Sequence, residues 1–146
     1  MAPAIDKERV IVESDFLFGL AKLDKRHSQV VRSLDMHKSG KIQLQVLSAA
    51  VVEVRSVLYS RGLGQKEIEE FFALMSEILG EYGVEDFIPT EPSDVVIAER
   101  MRKELPALTF FDSLYAATSK RLNLKLLTSE GIYSRIGLEV IDLDTI

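Results

Sequence analysis

The sequence predicts a three-layer α/β/α domain built around a mostly parallel sheet of roughly five strands. Three observations carry that expectation. Short β-branched or alternating runs recur between longer stretches of helical apolar spacing, and such alternation favours parallel βαβ units with helices on both faces. Gly40, Gly62, Gly64, Gly83, Pro89, Pro92 and Pro106 fall at the joints between these runs, where turns and helix ends place them. A length of 146 residues, 47% hydrophobic and 28% charged, fits one domain with a sizeable core and no need of disulfides. The domain is expected to span 1–146, with 1–9 as a short N-terminal tail.

The elements follow in order. Residues 10–12 form a β-branched run, read as a first, buried strand, and 16–22 continue as an apolar helix. Residues 25–38 carry Val30, Val31 and Leu34 among charges, a second helix that Gly40 ends. Ile42–Leu47 alternates with Gln43 and Gln45, a second strand, and Ser48 is placed to cap a helix over 49–59. Residues 66–82 place Ile68, Phe71, Phe72, Met75, Ile78 and Leu79 on one side of a long amphipathic helix. A third strand is expected over 84–88, ended by Pro89. Pro92 and Ser93 start a helix to about Leu105, which Pro106 breaks. Thr109 or Phe110 opens another, to Arg121, before strands at 124–127 and 138–143. No internal repeat or low-complexity tract interrupts the pattern.

Composition removes several functions. Without cysteine there is no thiolate zinc site, disulfide framework or Cys nucleophile. Two histidines, His27 and His37, leave a His-rich metal site or a Ser-His-Asp engine hard to assemble. No apolar run is long enough to span a bilayer, and 1–9 lacks the apolar stretch of a signal peptide; the expected location is the cytoplasm, with no membrane contact. The net charge of −5 argues against a nucleic-acid partner at first sight, yet acids gathered in one metal site can mask basic patches elsewhere.

In open α/β sheets, ligands sit beyond the carboxyl ends of the strands. Glu13 and Asp15 follow the first strand, Glu53 lies in the helix after the second, and Asp112 opens the helix feeding the fourth. Thr128, Ser129 and Glu130 leave the fourth strand's end. Two unit charges 4 Å apart repel by about 4 kcal/mol at an effective dielectric of 20, so such acids need protons or a cation among them. Oxygen ligands suit Mg²⁺ above all. Singly, each acid reads more simply: Glu53 as a helix-face charge, Asp112 as an early-helix acid favoured by the dipole. Their apolar brackets, Val51, Val52, Val54 and Val57 around Glu53, and Phe110, Phe111 and Leu114 around Asp112, tilt the balance toward a site.

These segments together resemble the PIN-domain ribonuclease family. Val12-Glu13-Ser14-Asp15-Phe16-Leu17-Phe18-Gly19-Leu20 is similar to its first strand and helix, and Asp24 and His27 to the acid and histidine that often follow. Val46-Leu47-Ser48-Ala49-Ala50-Val51-Val52-Glu53-Val54 resembles the segment with the second acid, and Phe111-Asp112-Ser113-Leu114-Tyr115-Ala116-Ala117 the helix with the third. Leu126-Leu127-Thr128-Ser129-Glu130, with Tyr133 beyond, is similar to the pattern carrying the fourth. The resemblance implies a Mg²⁺- or Mn²⁺-dependent endoribonuclease of the VapC toxin type, with RNA as substrate, a small antitoxin protein as partner, and a homodimer. It implies Glu13, Asp15, Glu53, Asp112 and Glu130 as catalytic and metal-binding residues, supported by Ser14 and Thr128. Where the family usually has Asp, this chain has Glu13 and Glu130, and Ile132 stands near the place of a further acid. Glu13 and Asp15 would share one side of an extended segment, and both stay in the set.

Lys22, Lys25, Arg26, Arg55, Arg61 and Lys120 are candidate RNA contacts, although each alone reads as a solvated helix face. Two rivals remain. A phosphoacceptor receiver domain would need a central Asp ending its third strand and a Lys after its fifth, whereas Asp86 precedes Phe87-Ile88 and no Lys follows 138–143. A degenerate PIN scaffold that binds RNA or protein without cleaving is the stronger one, given the two Glu replacements.

Overall fold

The computed structural model describes residues 7–146. Five strands, β1 (Glu8–Val12), β2 (Ile42–Leu47), β3 (Phe87–Ile88), β4 (Lys125–Thr128) and β5 (Val140–Asp142), form one sheet in the order β3-β2-β1-β4-β5. Every neighbouring pair is parallel. The helices are α1 (Ser14–Phe18), α2 (His27–Lys38), α3 (Ser48–Ser60), α4 (Gln65–Tyr82), α5 (Pro92–Glu104) and α6 (Phe110–Leu122). The expected α/β class and strand number are those observed. Val10, Ile11 and Val12 are fully buried, as a central parallel strand covered on both faces requires. From β1 the chain steps outward to β2 and β3, then returns to the other side of β1 to lay down β4. The strand order therefore reverses between β1 and β4, the switch point at whose carboxyl ends open α/β sheets place their ligand crevice.

Several boundaries depart from expectation for local reasons. β1 already begins at Glu8, within the tail expected over 1–9, of which residues 1–6 lie outside the described ones. The helix expected over 16–22 is α1, which starts at Ser14 and stops at Phe18. Gly19 ends it against α2: a Cβ there would stand 2.4 Å from Val30 Cγ2. Gly19→Ala is therefore expected to cost about 1–3 kcal/mol by overpacking, read as a lowered urea midpoint that Val30→Ala partly restores. The second helix starts at His27 rather than 25, because Asp24 Oδ1 accepts from Arg26 N at 2.9 Å, a local turn that competes with helix. His27 is a packing residue here, its Nδ1 2.9 Å from the Gly19 carbonyl oxygen.

Ser48 is not the cap expected of it. β2 runs directly into α3, Leu47 holds the N-cap position, and no side chain caps the helix. The third strand contracts from 84–88 to Phe87–Ile88 because Val84 folds back, its N–H donating to the Leu79 carbonyl at 2.9 Å beyond left-handed Gly83. The fifth contracts from 138–143 to Val140–Asp142, and a 3-10 turn over Gly131–Ile136 fills the connection.

α5 and α6 are clamped by charge. The Asp94 side chain, fully buried, meets Arg121 through two bonds, Nε–Oδ1 at 2.7 Å and Nη2–Oδ2 at 3.1 Å, and also accepts from Glu91 N at 2.9 Å at the head of α5. Asp94→Ala removes a helix cap and a bidentate pair together. The expected loss is about 2–4 kcal/mol, measured by urea unfolding, with the far-ultraviolet dichroism of the folded state unchanged.

Candidate active site

β1 ends at Val12 and hands the chain to Glu13, which is the N-cap of α1 and whose N–H donates to the Leu127 carbonyl of β4 at 3.2 Å. That bond extends the β1–β4 ladder by one residue and aims the Glu13 side chain into the crevice. Its carboxylate is 4% exposed and accepts a hydrogen bond from the Thr128 hydroxyl at the end of β4. Burial lifts the Glu13 carboxyl from the ordinary 4.5 to about 9, with the charges of Asp15, Asp112 and Glu53 adding to the rise and the Thr128 bond opposing it. Four carboxylates from β1's end, α1, α3 and α6 thus share one electrostatic environment.

Each of the others is held by a donor. Asp15 Oδ2 accepts from both the Ser129 N–H (2.7 Å) and the Ser129 hydroxyl (2.6 Å), while Oδ1 accepts from Phe16 N at 2.8 Å in the first turn of α1. Glu53 Oε1 accepts from the Tyr115 hydroxyl at 2.8 Å. Burial raises the Glu53 pKa, Tyr115 and Ser14 hydrogen bonds lower it, and Asp112 and Asp15 raise it again. Asp112 has a double part. With Thr109 it makes a capping box, Asp112 N donating to Thr109 Oγ1 (3.1 Å) and Thr109 N to Asp112 Oδ2 (3.2 Å). Its other oxygen, Oδ1, accepts from the Tyr133 hydroxyl at 3.2 Å. The simple reading of Asp112 as an early-helix acid and the site reading are both satisfied by one side chain.

Glu130 stands apart. It is exposed on the turn after β4, its N–H donating to Thr128 Oγ1 at 3.0 Å, and its charge is not among those lifting Glu13. Ser14 and Thr128 do lie at the site, on Glu53 and Glu13 respectively. Sequence reasoning assigned no role to Tyr115, Tyr133 or Ser129, the donors that hold Glu53, Asp112 and Asp15. The signal was a phenol inside a run of Leu and Ala: a buried Tyr keeps its hydroxyl bonded, and the acids are the nearest acceptors.

Among the described residues, no three His, Asp or Glu side chains stand together as a ready ligand group. In charge and donor type the set nevertheless fits a hard divalent cation, since it is carboxylate throughout, partly buried and mutually repelling. The basic candidates are dispersed. Arg26 is paired with Asp144 at 2.9 Å, Arg55 lies over the Tyr59 ring and Arg61 over the Phe18 ring. Lys120 is far from the acids, lining with Lys7, Arg9 and Lys125 a cavity of about 840 Å³ at the amino ends of β1 and β4.

Solved structures share this fold. FitAcB from Neisseria gonorrhoeae superposes with a TM-score of 0.69 at 16% identity, covering 94% of this chain and 99% of that one. VapBC2 from Rickettsia felis, bound to a DNA fragment from its promoter, gives 0.70 at 14% identity, over 92% and 98% of the two chains. VapC20 from Mycobacterium tuberculosis, a Sarcin-Ricin loop cleaving toxin, gives 0.65 at 16% identity, over 88% and 95%. The chain has the PIN-like fold. No family model and no curated protein matches the sequence; at these identities the PIN-like fold is carried by backbone topology, while the site chemistry is carried by this chain's own residues. No helix among the described residues is long and apolar enough to cross a membrane.

Proposed function

We propose that this protein is a divalent-metal-dependent endoribonuclease acting as the toxin half of a toxin–antitoxin pair. The observation that carries the reading is the gathering of Glu13, Asp15, Glu53 and Asp112 at the β1–β4 crevice, where the last three each lift the Glu13 pKa. The PIN-like topology shared with VapC20, VapBC2 and FitAcB supports it.

The residues that would hold Mg²⁺ or Mn²⁺ are Glu53, Asp112, Glu13 and Asp15; Glu130, exposed on the turn after β4, is not needed for the set. A divalent ion there supplies charge for the scissile phosphate and a more acidic water. The chain's own part is to keep the carboxylates in place: Ser129 fixes Asp15, Tyr115 and Ser14 fix Glu53, and Tyr133 and Thr109 fix Asp112. Thr128 engages Glu13, and as a hydroxyl it both accepts from Glu130 N and donates to the carboxylate. Lys22 and Lys25, on the turn between α1 and α2, and Arg61, at the end of α3, remain the candidates for positive charge toward the phosphate backbone.

The direct test is cleavage of a labelled RNA by the purified protein in Mn²⁺ and in EDTA. Metal-dependent endonucleolytic products that EDTA abolishes are expected; an RNA left intact at every Mn²⁺ and Mg²⁺ concentration refutes the enzyme. That outcome would favour the second reading, a non-cleaving scaffold, for which the absence of a ready three-acid ligand group among the described residues speaks. A homodimer is part of the proposal. Val52 of α3, Val95 and Val96 of α5 and Phe110 of α6 are exposed apolar side chains on helices that pack together, and such surface is characteristic of interfaces. Light scattering after gel filtration should give twice the monomer mass, reduced to the monomer mass by Val52→Glu combined with Val96→Glu.

A further inference from the structure

The hydroxyl of Tyr115 has a task that packing does not require. Tyr115 is 1% exposed, in the body of α6 between Leu114 and Ala116. A phenylalanine would fill that space without a polar atom to desolvate, and burying a hydroxyl costs free energy unless a partner repays it. The partner is on another helix: the O–H reaches α3 and donates to Glu53 Oε1 at 2.8 Å.

We propose that Tyr115 is a positioning residue of the metal site, holding Glu53 through Oε1 so that its carboxylate stays oriented for a cation. This rests on the metal-dependent reading above. A glutamate has three side-chain torsions, and Glu53 is only half-buried, so packing alone leaves its carboxylate free to turn. Ser14 lies against it from α1, and the Tyr115 phenol fixes Oε1 from α6, the arrangement by which groups behind a ligand tune metal binding. Tyr115 stands three residues after Asp112, so the two project from one face of α6. α6 thereby contributes one acid of the site and fixes the orientation of a second acid borne by α3. Asp112 receives the longer bond, 3.2 Å from Tyr133, but also has the helix-cap bond from Thr109. Among the described residues Glu53 has side-chain donors only, which makes its phenol the more consequential.

The test is calorimetric titration of Mn²⁺ into the full chain as parent, Tyr115→Phe, Glu53→Gln and the double variant, with melting in EDTA as the control. Tyr115→Phe is expected to weaken Mn²⁺ binding by about tenfold. Added to Glu53→Gln it should weaken binding no further, because the phenol acts through that acid. Parent-like affinity in Tyr115→Phe, or an equal loss in both backgrounds, overturns the proposal while leaving the metal reading standing. A parent that binds no Mn²⁺ overturns both. If Tyr115→Phe melts too early to titrate, the parent carrying 3-fluorotyrosine answers instead. Its Tyr115 fluorine resonance should move on adding Mg²⁺ and stay still in Glu53→Gln; a resonance that ignores Mg²⁺ in the parent overturns the proposal.

Discussion

Asp112→Asn should reduce metal-dependent RNA cleavage by about a hundredfold or more while the protein keeps its fold. On the proposed metal-dependent reading, Asp112 would be a negatively charged oxygen ligand, and substitutions even of groups behind such ligands cost about 10–100-fold. The fold is spared because asparagine preserves both hydrogen bonds. Its carbonyl oxygen can accept from Thr109 N in place of Oδ2, and its amide can donate to the Tyr133 oxygen, which reverses its role from donor to acceptor. Thermal melting in EDTA should thus change by only a few degrees. Retention of parent-level cleavage in Asp112→Asn would remove Asp112 from the site, and a collapse of the melting temperature would show that its capping role dominates.

Glu13→Gln is expected to do the opposite to stability. The parent's Glu13 holds its proton up to about pH 9 in the folded state, against 4.5 for the ordinary carboxyl. Between those values the folded chain carries one more bound proton than the unfolded chain, so stability falls as pH rises, by at most about 1.4 kcal/mol per pH unit for this group. Below pH 4.5 both states are protonated and the penalty vanishes; above pH 9 both are charged and it is complete. Glutamine keeps a carbonyl for the Thr128 hydroxyl and never ionises. In EDTA, the variant should match the parent near pH 4 and exceed it by about 1–3 kcal/mol at pH 8, read from urea unfolding at each pH. Mn²⁺ should stabilise the parent and have much less effect on Glu13→Gln. Equal stability of the two proteins at pH 8 would mean that Glu13 is not the strained acid described above. The pattern is that of a functional site that costs the fold stability.

Both expectations depend on separate stretches of sequence meeting, and the sequence discloses that only in part. Local signals placed the elements well where side-chain spacing decides them. The apolar face of α4, the alternation of β2 and the Pro92 start of α5 were legible because helix and strand periods are properties of a few consecutive residues. Boundaries set by a distant neighbour were not. The end of α1 needs Gly19 because Val30 of α2 leaves no room there for a Cβ, and β3 shrinks because Val84 bonds back to Leu79.

At the site, the sequence by itself determined the chemistry: no thiol, two histidines, and acids following strand ends, hence oxygen ligands and a hard cation if any. The tertiary structure decided which acids share a crevice. Pairing β4 beside β1 brings Thr128 onto Glu13 and Ser129 onto Asp15, more than a hundred residues along the chain, and leaves Glu130 outside on the surface. The phenols of Tyr115 and Tyr133 look from the sequence like core aromatics; only the packing of α6 against α3 and of the 3-10 turn against α6 turns them into hydrogen-bond donors. The physical reason is range: periodicity and residue chemistry act over a few residues, whereas burial and charge repulsion depend on neighbours that the chain supplies from far away.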